Sequence, residues 1–314
     1  MKKFILLTGL FILAISGYTQ SRPVKNLTPV RGHYRQLQQF SPAPAKKDAE
    51  VDMQKFPFDA QAAERRLSLK PHYLNDNINF SIPDPPANSS PQTRAELNYL
   101  LNLQQQRTHD QVRAALYMAG VYYNPRAVPT DSLYSQFRKN LFHIGRSIGT
   151  WFSPESLPIT ADFIAHVWQD ASYYSWKYKY QFLRVRPYVL EPRLQNLEET
   201  NWAAYPSGHA ANSYVNAFIY AALAPEFKDV FLKDAYDMAH SREIIGVHYP
   251  SDSEASRVLA RQIVNELFRN EKFMNDFKKV KQEWATNAKE KFEKPDPGKS
   301  KPSVKKEGCA KTCE

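Results

Sequence analysis

Two histidines, one carboxylate and three cationic side chains fall in three short stretches, and together they suit chemistry on a phosphoryl group. In the first stretch Lys179 lies seven residues before Arg186, and Pro187 follows. Positions seven apart share a face of an α-helix, so an ammonium and a planar guanidinium are expected to point the same way, with Pro187 ending the helix. The second stretch runs from Tyr205 to His209, ahead of an apolar run reaching Leu223. Ser207 reads as a helix N-cap, and Gly208 lets an anion approach backbone N–H groups closely. His209 sits where it can donate a proton. The third stretch, Ser241 to Asp252, holds Arg242, His248 and Asp252. A carboxylate near an imidazole can hold one ring nitrogen and leave the other free to attack.

Each stretch alone has an ordinary reading. Lysines and arginines on a helix face are usually solvated, Ser207 can be a plain cap, and Asp252 can simply cap the next helix. In combination they supply three cations, a helix N-terminus and two histidines, one of them with an orienting carboxylate. That set suffices for phosphoryl transfer without a metal ligand cluster.

The three stretches resemble the signature of the type 2 phosphatidic acid phosphatase superfamily: K-x6-R-P, then P-S-G-H, then S-R-x5-H-x3-D, in that order and at those internal spacings. Within it the chain is most similar to the bacterial class A nonspecific acid phosphatases, which also carry a Pro-rich stretch like IPDPPANSSPQ ahead of the first core helix. The resemblance implies a metal-independent acid phosphatase acting on small phosphate monoesters through a phosphohistidine. It assigns His248 as nucleophile, Asp252 as its orienter and His209 as acid and then base. Lys179, Arg186, Ser207, Gly208 and Arg242 are assigned to phosphate. No cofactor is implied, except vanadate under the alternative of a vanadium-dependent haloperoxidase, which shares this pocket; a soluble phosphatase acting on lipid phosphates is the other alternative. Two positions depart from the pattern: Ala203–Ala204 stands where Gly-Ser often precedes the tyrosine, and Ala210 where Thr is common.

The elements that must position these residues read as helices. Ser90–Pro91 is a cap with Pro at the first helical position, and apolar spacing of three and four follows. Further helices are expected at 109–118, 131–150, 160–182, 207–223, 225–246 and 252–273, and alternating strand-like runs are scarce. The expectation is an all-α single helical bundle domain over residues 89–283. Residues 20–88 read as an extension with Pro-rich linkers, and 284–314 as a Lys-rich disordered tail.

At 314 residues and 42% hydrophobic content the chain can bury a real core. The net charge of +10 is uneven: from Lys272 onward twelve lysines face seven acidic residues, so about half the excess is a tail property. Aromatic residues are sparse there, and no nucleic-acid partner is expected. Lys2 and Lys3 precede an apolar run from Phe4 to Ile15, the pattern of a secretory signal over residues 1–19. The expected location is therefore periplasmic or secreted, with no transmembrane span after signal removal and a homo-oligomer left open. The only cysteines, Cys309 and Cys313, are too few for a zinc site. Trp202 and Tyr205 are expected to form pocket wall, and His240 to be structural.

Overall fold

Eleven α-helices and one short 3-10 turn make up the computed structural model, which describes residues 48–293, with side chains described to residue 287. The helices are α1 (Ala49–Met53), α2 (Ala60–Leu67), α3 (Pro91–Gln106), α4 (His109–Ala119), α5 (Tyr134–Asn140), α6 (Pro158–Phe182), α7 (Pro187–Leu190), α8 (Gly208–Leu223), α9 (Lys228–Ile244), α10 (Pro250–Leu267) and α11 (Glu271–Glu293). No strand occurs among the described residues, so the expected all-α bundle is what the chain forms. The N-terminal signal-like run, Cys309 and Cys313 lie outside the described residues.

α8 is the axis of the bundle. Every residue from Ala210 to Tyr220 is buried, and the helix packs against α9, α10 and α6. A helix that is apolar all round belongs in a core. Its two buried asparagines are hydrogen-bonded: Asn212 Nδ2 donates to Gly208 O at 2.9 Å, and Asn216 Nδ2 to Leu141 O at 3.4 Å.

Several helix ends differ from the sequence expectation, each for a local reason. The helix expected over 131–150 is only α5: beyond Asn140 the backbone bonds tighten to turns (Leu141 N to Arg138 O, Phe142 N to Lys139 O), and Gly145, at a positive φ of 99° with its N–H donating to Asp234 Oδ2 at 2.8 Å, does not resume the helix. The helix expected over 252–273 divides: α10 stops at Leu267, and Asn270 caps α11 by accepting from Phe273 N at 2.9 Å. α11 continues past Glu283, where composition alone suggested loss of order, because Phe273, Phe277, Val280 and Trp284 give it an apolar stripe that seats in the core.

The segment 73–80, just ahead of the Pro-rich stretch that precedes α3, is pinned along α6. The backbone N–H groups of Tyr73 and Leu74 donate to the buried Asp170 carboxylate at 3.1–3.3 Å. The Tyr178 hydroxyl donates to Phe80 O at 2.7 Å and accepts from Phe80 N at 2.6 Å. Tyr73, Leu74 and Phe80 are buried in the same core cluster as α6 and α8.

Candidate active site

All eight residues singled out from the sequence meet at one end of α8. Lys179 is on the last turn of α6 and Arg186 is in the link to α7. Ser207, Gly208 and His209 open α8, and Arg242 is on the last turn of α9. His248 is in the connection to α10, and Asp252 is in the first turn of α10.

The reason that Lys179 and Arg186 converge is not the one expected. The helix does not continue for seven residues past Lys179. It ends at Phe182, and Leu183, at φ 53°, turns the chain out of the helix into an extended run that carries Arg186 back beneath Lys179's partners. Lys179 Nζ donates to Ala203 O (2.8 Å) and Ala204 O (3.0 Å), while Arg186 Nε donates to Trp202 O (3.0 Å). The two cations are thus held by consecutive carbonyls of one strand-like segment. Pro187 opens α7 rather than closing α6.

The connection from α9 to α10 is built from two helix-end devices. α9 closes in a Schellman arrangement: Val247 N donates to Arg242 O (3.1 Å), Gly246 N donates to Glu243 O (2.9 Å), and Gly246 takes the left-handed φ of 75° that this motif requires. α10 opens with Pro250 at its first position, and Asp252 Oδ2 accepts from Tyr249 N at 3.0 Å. His248 lies between them with both flanks fixed. Asp252 therefore performs both readings weighed from sequence, since its Oδ2 also accepts from His248 Nδ1 at 2.8 Å.

The histidine tautomers follow from their partners. Asp252 only accepts and Arg186 only donates. His248 therefore carries its proton on Nδ1, and its Nε2 lone pair accepts from Arg186 Nη1 at 3.0 Å. His209 Nε2 donates to Ala119 O at 3.1 Å, which leaves Nδ1 as the nitrogen that can take up and return a proton. Ser207 accepts from Ala210 N at 3.4 Å as the N-cap, and its own N–H donates to Asp252 O at 3.3 Å, tying the start of α8 to α10. The N–H groups of Gly208 and His209 precede the first intrahelical bond, Ala211 N to Ser207 O. A Cβ on Gly208 would meet nothing within 4 Å, so the space over this helix end is open.

The electrostatics are those of a site waiting for negative charge. Burial, reinforced by Arg186, pushes the Lys179 ammonium well below its ordinary value. Burial lowers Arg186 to about 10 even though Asp252 opposes it. Arg186 Nη2 and Arg242 Nε and Nη1 are buried with no hydrogen-bond partner among the described residues. Arg242 Nη2 is paired with Glu198. Burial followed by Arg242 depresses His209, and burial followed by Arg186 depresses His248, both well below the ordinary imidazole value. Burial would raise the Asp252 carboxyl, but the Arg184 guanidinium and His248 outweigh it and bring it down to about 2.

Arg184 was not singled out from the sequence, yet it is buried and is bonded to Asp252. The signal available was a second arginine two residues before Arg186 in a stretch otherwise read as helix. Tyr205, expected as pocket wall, is instead fully packed, with its hydroxyl bonded to Pro83 O and its ring edge-on to Phe182. Trp202, expected as pocket wall, lines a cavity beside Lys179 and Ala203, its ring edge-on to Trp176 and its carbonyl accepting from Arg186. His240 Nδ1 bonds Glu243 Oε2 at 3.0 Å.

No family model matches the chain. It is 33% identical over 113 residues to the non-specific acid phosphatase of Providencia stuartii, an alignment covering 34% of this chain and 45% of that protein. It is 27% identical over 143 residues to the non-specific acid phosphatase of Salmonella typhi, covering 43% of this chain and 57% of that one. The chain is thus similar in sequence, over part of its length, to bacterial non-specific acid phosphatases. It spans about half the length of these curated relatives. Among solved structures, a bacterial vanadium-dependent iodoperoxidase superposes with a TM-score of 0.50 at 14% identity, over 76% of this chain and 64% of that one. That likeness shows that the chain shares the helical fold of that enzyme. No helix among the described residues is long and apolar enough to cross a membrane, and no cluster of three or more His, Cys, Asp or Glu stands where it could hold a metal ion.

Proposed function

We propose that the protein hydrolyses phosphate monoesters by transferring the phosphoryl group to His248. The observation that carries this reading is the pairing of a neutral, Asp252-oriented imidazole with buried guanidinium N–H groups that have no partner (Arg186 Nη2, Arg242 Nε and Nη1). Buried unpaired donors are costly, and a bound oxyanion satisfies them.

The ester's phosphoryl oxygens are held by Lys179, Arg186, Arg242, the Ser207 hydroxyl and the N–H groups at the start of α8. Arg186 Nη1 leaves His248 Nε2 for a phosphate oxygen and so frees the lone pair. Nε2 attacks phosphorus as the P–O bond to the alcohol breaks, and His209 Nδ1–H protonates the departing oxygen. Asp252 remains ionised and stabilises the positive charge that develops on His248. A water then gives its proton to His209, its oxygen attacks phosphorus, and the P–N bond breaks.

The pH dependence follows from the charge state of His209. His209 is neutral, so its catalytic proton arrives with a substrate monoanion. A phosphate monoester loses that proton near pH 6, at roughly its second pKa, so activity is expected to fall above that pH. The N-terminal run, which reads as a secretory signal, supports export of the mature enzyme.

Vanadate would meet the same donors, with His248 Nε2 as its protein ligand, and would supply a Lewis-acid centre for peroxide. The deciding experiment is turnover of an aryl phosphate by the full chain without added metal. His248→Ala should lower kcat by at least about 10³-fold, as loss of a covalent nucleophile does. Unchanged turnover in that variant, or halide oxidation with vanadate in place of phosphate release, would reject the assignment.

A further inference from the structure

We propose that Arg184, together with Glu96, is a positioning residue for the His248–Asp252 pair, forming a buried relay that locks the orienting carboxylate from behind. The relay concerns the catalytic histidine of the phosphoryl-transfer reading and rests on that reading.

Arg184 Nη1 donates to Asp252 Oδ1 at 2.6 Å and to Ser251 Oγ at 2.7 Å, and Nη2 donates to Glu96 Oε2 at 3.1 Å. Glu96 Oε1 accepts from Ser251 N at 2.7 Å. The guanidinium lies 3.8 Å over the Tyr249 ring. The side chains of Arg184, Glu96 and Asp252 are at most 2% exposed. Apart from the Arg184–Glu96 pair itself, these contacts converge on residues 249–252, the segment that presents Asp252. The carboxylate is fully assigned: Oδ1 to Arg184, and Oδ2 to His248 and Tyr249 N. Rotating it breaks bonds on both oxygens at once.

Stability alone does not account for this arrangement. A buried ion triad is often no more stabilising than apolar residues of the same volume, so its worth lies in what it orients. Its charge also acts on His248 through Asp252. The groups facing His248 are Asp252 from α10, Lys179 from α6 and Arg186 from the link after it. Those facing Asp252 include His248 and Arg184, with Glu96 of α3 beyond Arg184. Without the Arg184 cation the pair becomes more negative and holds its proton more tightly. Without the Glu96 charge, Arg184 acts on Asp252 undiluted and the proton is held less tightly.

The experiment compares the full chain with Arg184→Met, Arg184→Lys and the near-isosteric Glu96→Gln on an aryl phosphate across pH. Arg184→Met is expected to lower kcat by about 10²-fold, the scale of a small misplacement at a reacting group, with inhibition by inorganic phosphate retained. The acid limb of kcat/KM moves to higher pH in Arg184→Met and to lower pH in Glu96→Gln, while Arg184→Lys recovers part of kcat. Shifts of opposite sign separate a charge relay from general loss of packing. If Arg184→Met does not fold, Arg184→Lys and Glu96→Gln decide. An acid limb unmoved in both, at wild-type kcat or with only a raised KM, overturns the relay. If the wild type shows no turnover, the functional reading fails instead, and an NMR titration of His248 in the wild type and Glu96→Gln still decides whether Glu96 is felt at the imidazole.

Discussion

Arg184 and Arg186 are two residues apart in one extended link, both fully buried, and they are opposites electrostatically. Arg184 is enclosed by Asp252, Glu96 and the Tyr249 face, and although burial opposes its charge, Asp252 and Glu96 raise it above its ordinary value. Each guanidinium keeps one buried nitrogen without a partner, Nε of Arg184 and Nη2 of Arg186, but Arg186 has only carbonyls and a neutral imidazole for partners and is lowered by burial to about 10. Alternate residues of an extended segment face opposite ways. The link therefore sends one cation into the protein, where its charge is compensated, and the next toward the open end of α8, where compensation must come from a ligand. One arginine holds the site together, and the other leaves it incomplete until a phosphate binds.

That contrast can be broken by mutation. Arg184→Met strands two buried carboxylates and should destabilise the fold by about 3–5 kcal/mol in urea denaturation. Arg186→Met removes a cation without a counterion and should fall within about 1 kcal/mol of the wild type, while losing affinity for inorganic phosphate. Equal destabilisation by the two would erase the distinction.

A smaller effect tests the ligand's part in it. Inorganic phosphate at 100 times its dissociation constant should stabilise the wild type by about 2.7 kcal/mol, read as a rise in Tm. The same concentration should leave the Tm of Arg186→Met nearly unchanged.

Two buried carboxylates repeat the contrast with the sign reversed. Asp252 has Arg184 beside it and is brought down to about 2, whereas Asp170 has only backbone N–H partners, and burial raises it to about 7. A carboxyl raised above its unfolded value of 3.8 adds stability that is complete below about pH 4 and is lost as pH rises through 7. Asp252 contributes in the opposite sense, adding stability above about pH 4 that is lost as pH falls toward 2. Asp170→Asn should therefore flatten the decline in stability between pH 4 and 7, by about 1–3 kcal/mol over that range. A decline as steep as in the wild type would assign it to other groups.

The positions of Ser207, His248 and Asp252 were legible in the sequence because each depends on a local device. Ser207 caps the helix it precedes, Gly246 and Pro250 close and open the helices around His248, and Asp252 reaches His248 within one turn. What could not be read depends on distant parts of the chain. Glu96 reaches Arg184 across 88 residues, and the strap over α6 is held by Asp170 and Tyr178 across 96 to 98. The break at Leu183 was hidden for another reason. Leucine favours helix, and only the carbonyls at residues 202–204, which take Lys179 and Arg186, show why the chain must leave the helix there.

The phosphoenzyme is the most direct test of the account. The full chain, mixed with a radiolabelled phosphate monoester and quenched rapidly in alkali, should retain label on His248. The bond should survive base and be lost in mild acid, as a phosphoramidate is, and with an aryl phosphate whose phenolate departs without an acid His209→Asn should accumulate more label by slowing hydrolysis. Label that persists in His248→Ala, or that sits on a base-labile serine or carboxyl ester, would contradict it.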